Sequence, residues 1–191
     1  MPLSLRAARR ASVVLALSCT TVLSGTAASA AAGHAGHTGR PGATPRCSLS
    51  RLLAWIGLPG SGAAGSTAYP LEFSNVSGRA CHLSGYPGVS AIGRDGRQLG
   101  SPAHRDTTFR PRLVLLRRGW TAHAVLTITD AGNFPARACR VRTADALRIT
   151  PPGAHRSAFV PLSFPACSRR GPVYLHVRVV RAGVGIPGAS Q

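Results

Sequence analysis

The main pattern along the chain is an alternation of apolar and polar side chains with a period of two residues. It is longest where Ala122, Ala124, Leu126 and Ile128 alternate with threonine, histidine and valine. This period places successive side chains on opposite faces, which is typical of a half-buried β-strand. Shorter segments that predict strands lie at residues 69–74, 89–92, 98–99, 112–115, 147–150, 159–164 and 173–180.

Turn-forming residues separate these segments. Residues 75–78 (Asn-Val-Ser-Gly) and the Pro-Pro-Gly sequence at 151–153 predict loops. Asp95-Gly96 predicts a hairpin of the type in which both turn residues have a positive φ. Residues 49–58, which include Trp55, predict either a short helix or a first strand. No other segment has the pattern of an amphipathic helix.

Seven to nine short strands fit an all-β domain, and we expect an immunoglobulin-like β-sandwich of two sheets over residues 47–182. Two sheets that each bury one face account for the alternation. A closed barrel is the alternative, because the pattern of single strands does not separate the two architectures.

The first 30 residues have the three parts of an export signal. Arg6, Arg9 and Arg10 form a basic segment, residues 13–23 are apolar, and Ala-Ser-Ala at 28–30 fits a cleavage site. The apolar run is about 11 residues and a bilayer span needs about 20, which favours a signal peptide over an anchor. Because of the pair Arg9-Arg10, twin-arginine export is an alternative route. Lipidation of Cys19 has less support, because the residues before it fit a lipobox poorly.

Residues 31–46 are rich in glycine, alanine, threonine and proline, and we expect a disordered linker there. His34 and His37 lie in this linker without a third ligand nearby, so no metal site is predicted. Residues 183–191 predict a flexible tail. The mature chain has no second apolar run long enough to cross a membrane, and we expect it outside the cell or at the envelope.

Four cysteines remain after removal of the export signal: Cys47, Cys81, Cys139 and Cys167. In an exported chain they predict two disulfides, for which three pairings exist. No C-x-x-C spacing points to zinc or to redox chemistry. If the strands alternate in direction, Cys47 and Cys167 begin the first and last strands at the same end of the domain. This favours Cys47–Cys167 with Cys81–Cys139, and Cys47–Cys139 with Cys81–Cys167 is nearly as well supported.

The chain is strongly basic. Its 23 basic residues are all arginine, its acidic residues number five, and its net charge is +18. Lysine chemistry is therefore excluded, and a site with paired carboxylates is disfavoured. The bias is typical of a GC-rich genome, so part of the arginine excess needs no ligand.

Two arginine clusters predict a surface that binds polyanions, such as wall polymers, anionic lipid or nucleic acid. Nucleic acid is the weakest of these, because no aromatic platform or known module accompanies the charge. Anionic components of the cell envelope fit an exported protein best. The clusters consist of Arg110, Arg112, Arg117 and Arg118, and of Arg137, Arg140 and Arg142.

Signals for catalysis are weak. The chain has no G-x-S-x-G elbow and no phosphate loop. Five histidines are scattered along the chain, and the fold could still bring one of them into a catalytic triad. Two of them, His123 and His176, alternate with apolar residues and are expected to be solvated. We expect no enzyme activity and no cofactor.

A long motif supports the fold and the compartment. Residues 71–89 have the pattern L-x-F-x-N-x-S-G-x-x-C-x-L-x-G-Y-P-G-V, which resembles the family called domain of unknown function 4232. Residues 115–122 and 147–153 resemble later family segments, with Arg118 where proline is usual, and the likeness covers about residues 47–180. It implies a domain of the kind found in secreted and lipid-anchored actinobacterial proteins, and it supplies no activity.

The motif also has a physical interpretation. Asn75 and Ser77 can hold a turn through bonds to nearby backbone, and Gly78 tolerates a positive φ. Gly85, Tyr86, Pro87 and Gly88 predict a tight turn with the ring packed over it. The alternative is a ligand loop that displays the tyrosine.

These observations predict an exported, non-catalytic binding or interaction module. Two alternatives remain open. One is an electrostatic binder of anionic polymers that acts through its arginine clusters, and the other is an enzyme of unrecognised type.

Overall fold

The computed structural model describes residues 44–186. Several predictions lie outside these residues: the signal peptide with Arg9-Arg10 and Cys19, the linker up to residue 43 with its two histidines, and tail residues 187–191. Nothing in the structure bears on them.

Thirteen strands form within residues 44–186, with one short α-helix and two 3-10 turns. The strands are β1 (Leu52–Ile56), β2 (Ser61–Ala63), β3 (Ser66–Asn75), β4 (Cys81–Leu83), β5 (Gly88–Ile92), β6 (Gln98–Leu99), β7 (His104–Arg105), β8 (Val114–Leu116), β9 (Thr121–Thr129), β10 (Val141–Thr150), β11 (Ala158–Cys167), β12 (Leu175–Val177) and β13 (Arg181–Ala182). The 3-10 turns are Leu49–Arg51 and Ala131–Asn133, and the helix is α1 (Ala136–Cys139).

The strands form two main sheets. The larger has the order β1-β3-β9-β12-β7, with β2 paired to β3 and β13 paired to β9. The smaller has the order β11-β10-β5-β6, and β4 and β8 make a separate pair. One continuous cluster of buried side chains includes Phe73 and Leu126 from the larger sheet and Leu147 and Ile149 from the smaller. The predicted all-β sandwich is therefore confirmed.

The strand count exceeds the prediction for a simple reason. Nine strands coincide with predicted segments, and residues 49–58 form both a 3-10 turn and a strand. The other four, β2, β4, β7 and β13, are two or three residues long. A period of two residues is not visible in segments of that length.

Both disulfide pairings proposed from the sequence are wrong. The bonds are Cys47–Cys81 and Cys139–Cys167. The first forms because Cys47 lies beside β4, where its backbone N–H donates to the carbonyl of His82. The second forms because Cys139 ends the helix before β10, whose first residue, Val141, pairs with Cys167. Each bond joins adjacent segments, whereas the predicted pairs lie further apart along the chain.

The turn motif is confirmed in its main part. Asn75 Oδ1 accepts from the backbone N–H and the hydroxyl of Ser77, and Asn75 Nδ2 donates to the carbonyls of Arg79 and Leu116. Gly78, however, does not have a positive φ. Its place in the turn needs no left-handed backbone.

The predicted hairpin between β5 and β6 also forms, but its type differs. Gly96 alone has a positive φ, of 74°, and Asp95 does not. The N–H of Gly96 donates to the carbonyl of Gly93, while Asp95 Oδ1 accepts from the backbone of Arg97. This is a type I turn followed by a left-handed glycine.

Candidate binding site

Four side chains share one row on the outer face of the larger sheet. Trp55 pairs with Glu72 across β1 and β3, Glu72 pairs with His123 across β3 and β9, and His123 pairs with Arg181 across β9 and β13. Directly opposed residues of antiparallel strands project to the same face. Leu71 and Phe73, the neighbours of Glu72, project to the core and are fully buried. The row therefore lies on the face turned away from the core.

A short strap formed by residues 183–186 covers the middle of this row. The backbone N–H of Gly185 donates to Glu72 Oε1 at 2.6 Å, and His123 Nδ1 donates to the carbonyl of Gly183 at 3.0 Å. Gly183 and Gly185 have φ values of 92° and 81°, which favour glycine. The predicted tail begins at residue 183, but Gly183 and Gly185 are hydrogen-bonded to the sheet.

The strap buries two polar side chains that the sequence pattern places on an exposed face. Glu72 is 0% exposed and His123 is 3% exposed. The expectation of a solvated His123 is therefore wrong, while His176 is half-buried. The cover that buries Glu72 lies 113 residues further along the chain, so local alternation does not reveal it.

Only one of the two oxygens of the Glu72 carboxyl has a hydrogen-bond partner among the described residues. Its Oε1 accepts the bond from Gly185, whereas its Oε2 is buried and has no hydrogen-bond partner among the described residues. Burial raises the pKa of Glu72 above its usual value, and the bond from Gly185 and the charge of His123 oppose that shift. The environment thus favours the neutral carboxyl more than water does.

A one-residue bulge places two arginines on the same face. Val177 pairs with Leu126 and Arg181 pairs with His123, so four steps on one strand oppose three on β9. In a regular strand, residues three apart project to opposite faces. The extra residue brings Arg178 and Arg181 to one side, and their guanidinium carbons lie 5.9 and 5.3 Å from the centre of the Phe109 ring.

A cavity of about 160 Å³ lies between these arginines, the strap and the sheet. Val125 and Val179 are buried side chains of its wall. Phe109 closes one side and remains 45% exposed. The complete lining is Phe109, His123, Val125, Arg178, Val179, Arg181 and Ile186.

The two arginines differ in their partners. Arg178 Nε lies 3.1 Å from Asp106 Oδ2, which is the one ion pair among residues 44–186. The pKa of Asp106 is lowered mainly by hydrogen bonds from the hydroxyl and backbone of Thr108, and further by Arg178. Arg181 is half-buried and has no carboxylate within 4.0 Å in the described part of the chain.

The predicted loop at Gly85, Tyr86, Pro87 and Gly88 supports this cavity. Tyr86 is half-buried, and its hydroxyl donates to the carbonyl of Phe109 at 2.9 Å. The carbonyl of Gly85 accepts from the backbone of Val180, Pro87 is buried, and Gly88 begins β5. The loop thereby holds both the Phe109 segment and the bulge that carries the arginines.

All seven arginines of the two predicted clusters are exposed. Arg117 and Arg118 lie in the turn before β9, where Arg117 stacks at 5.0 Å on Trp120. Arg137 and Arg140 follow the end of β9, on and beside α1. The nine residues of β9 span about 27 Å at the usual rise. These arginines therefore form two separate basic areas.

The surroundings of Arg142 are mixed in charge. It lines an open cleft of about 670 Å³ together with Arg94, Asp95 and Asp145. Two of the five carboxylates of the chain thus share this surface with two arginines. The positive potential of the second cluster is accordingly weaker here than beside Arg137.

Among residues 44–186 no three side chains come together as a metal site. That same part of the chain contains no helix with the length and apolar character of a membrane span.

Sequence reasoning missed Glu72, Phe109, Arg178 and Arg181 as members of a site. The alternation at residues 173–180 conceals the bulge, because it continues through Val177 and Val179 as if the strand were regular. The closely spaced Gly183 and Gly185 are the available signal for a strap.

Residues 47–181 match the family described as domain of unknown function (DUF4232), which covers more than half of the chain. No curated protein and no solved structure matches the chain. The match includes Glu72, His123, Arg178 and Arg181, and it ends before the strap.

Proposed function

The chain belongs to the DUF4232 family, and we propose that it is an exported, non-catalytic binding module that holds anionic polymers of the cell envelope on its arginine-rich surface. The observation that carries this proposal is the lack of carboxylate partners for all but one of the arginines of the described chain. Arg178 alone among residues 44–186 pairs with a carboxylate, although the chain has 23 basic residues and five acidic ones. Exposed guanidinium groups without partners attract polyanions and release their counterions.

Binding fits the outer face better than catalysis does. Glu72 and His123 are cross-strand neighbours that an acid–base mechanism would use, but the bonds at Glu72 Oε1 and His123 Nδ1 hold backbone atoms of the strap. A general base needs access to the proton that it removes. Both side chains are covered, which supports a structural use of the pair. The two disulfides are compatible with a location outside the cell.

The test is the salt dependence of binding to poly(glycerol phosphate), with uncharged dextran as the comparison polymer. Dissociation constants are measured from about 50 to 300 mM salt. We expect affinity for the phosphate polymer to fall linearly on logarithmic axes, with little binding to dextran. For flexible single-stranded nucleic acid, the slope of log affinity against log salt is about −0.7 per phosphate contact. Loss of three contacting arginines should therefore make this slope shallower by about two.

Two triple variants test the clusters: Arg112→Gln/Arg117→Gln/Arg118→Gln and Arg137→Gln/Arg140→Gln/Arg142→Gln. A third, Arg46→Gln/Arg97→Gln/Arg156→Gln, removes the same charge from exposed positions outside both clusters. At least one cluster variant should bind several-fold more weakly than this control. Equal losses in all three would show that net charge alone acts, and absence of salt-dependent binding would overturn the proposal.

A further inference from the structure

We infer that the cavity beneath Phe109 binds a carboxylate that carries one apolar group of about six carbons. This site goes beyond the proposed polymer surface, because its ligand is small and its specificity comes from the apolar wall of a cavity. Val125, Val179 and Ile186 form its apolar wall, and Arg178 and Arg181 line it beside Phe109, with their guanidinium groups over that ring.

The volume sets the size of the apolar group. The cavity holds about 160 Å³, and an apolar cavity of about 150 Å³ binds benzene in a protein interior. One phenyl ring or one branched aliphatic group therefore fills it. Phe109 forms one side, so an inserted ring can also contact an aromatic neighbour.

The charge beside Phe109 selects an anion. Arg181 is half-buried, stacks on Phe109 and has no carboxylate within 4.0 Å in the described chain. A guanidinium that is partly removed from water gains most from a bidentate anionic partner. Arg178 already pairs with the carboxylate of Asp106, so Arg181 is the one of the two that is left to bind a ligand carboxylate.

The site is held in shape before any ligand binds. The bulge places Arg178 and Arg181 on one face, and the hydroxyl of Tyr86 fixes the backbone of Phe109. The strap that contributes Ile186 is tied to Glu72 through Gly185. Preorganisation of this kind reduces the entropic cost of binding.

The experiment uses the oxidised full chain and ligand-observed NMR, with calorimetry for affinity. The probes are 3-phenylpropionate and 4-methylpentanoate. The comparison compounds are 3-phenylpropanamide, which lacks the charge, and acetate, which lacks the apolar group. For ligands of this size we expect dissociation constants on the order of 0.1–1 mM for the two acids. The comparison compounds should bind at least tenfold more weakly.

Variants locate the site and separate it from the polymer surface. Arg181→Gln should weaken the acids about tenfold, while Arg110→Gln removes the same charge outside the cavity and should leave them unchanged. Val125→Phe should abolish binding by filling the cavity, and Val125→Leu provides a milder change if the larger ring prevents folding. The triple variant at Arg112, Arg117 and Arg118 should retain acid binding whatever happens to polymer binding.

Either of two results would overturn the inference. One is equal binding of the amide and the acid. The other is unchanged acid binding in a folded Val125 or Arg181 variant. Binding of N-acetylleucine, tighter than that of 4-methylpentanoate, would identify the source of the carboxylate as a peptide chain end. The reverse order would identify a free acid.

Discussion

Replacement of Asn75 by alanine should destabilise the fold strongly, although the residue is neither charged nor large. Asn75 is fully buried at the end of β3 and makes four hydrogen bonds with its side chain. They join three segments: β3 itself, the turn at Ser77 and Arg79, and β8 at Leu116. The bond to the Leu116 carbonyl is fully buried.

The magnitude follows from these bonds. A hydrogen bond contributes about 1 kcal/mol net, and a buried acceptor left without its partner costs about 1–3 kcal/mol. Water can reach the turn, so the main loss arises at Leu116. We expect Asn75→Ala to lower the free energy of unfolding by about 3 kcal/mol, a substantial part of the roughly 5–15 kcal/mol that stabilises a typical domain.

Ser77→Ala is the matched control. Its hydroxyl donates to Asn75 Oδ1 and to the carbonyl of Arg79, close to solvent. Its loss should therefore cost less than about 1 kcal/mol. Asn75→Asp keeps an acceptor for Ser77 but points its other oxygen at two carbonyls, so it should be at least as harmful as alanine at neutral pH. Urea unfolding followed by tryptophan fluorescence measures all three, and a smaller loss for Asn75→Ala than for Ser77→Ala would refute the reasoning.

Three further predictions follow from other parts of the fold. Non-reducing peptide mapping should find Cys47 linked to Cys81, and replacing both by alanine should cost about 4 kcal/mol for a closed loop of 34 residues. Glu72→Gln should become more stable relative to the native chain as pH rises in urea titrations. Burial raises the folded pKa of Glu72 above 4.5, so the stability that this carboxyl contributes is present below that value and is lost as pH rises through the folded pKa. A stability difference between the variant and the native chain that does not change with pH would contradict this. Arg140→Gly should raise the thermal midpoint, because Arg140 has a φ of 47° and a left-handed non-glycine residue costs about 1 kcal/mol, whereas Arg142→Gly, in β10, should lower it.

The sequence was sufficient for most of the longer strands because alternation is a local property. Residues 121–129 show it through a complete strand, whereas residues 49–58, which contain β1, also allowed a helix. The disulfides could not be predicted in the same way, since their pairing depends on which segments meet. Cys47 reaches Cys81 through a bridge between Arg46 and His82, and nothing in either segment alone specifies that contact.

The candidate site was hidden for a related reason. A glutamate in an alternating strand is expected to face water, and Glu72 is buried only because residues 183–186 return to cover it. In a regular strand Arg178 and Arg181 would project to opposite faces, and only the bulge brings them together. The exposed arginine clusters, by contrast, were visible in the sequence, because exposure is the default for an arginine without a partner.

The two binding proposals rest on different physics, and salt separates them. A polymer that contacts many arginines releases one counterion for nearly every contact, so its affinity falls steeply as salt rises. A single carboxylate at Arg181 displaces about one counterion, and most of the selectivity comes from the apolar group of the ligand in a cavity of about 160 Å³. Raising salt from about 0.05 to 0.3 M should therefore remove polymer binding and weaken acid binding only a few-fold. If both were lost in parallel, charge at the surface would account for both, and the cavity would need no ligand.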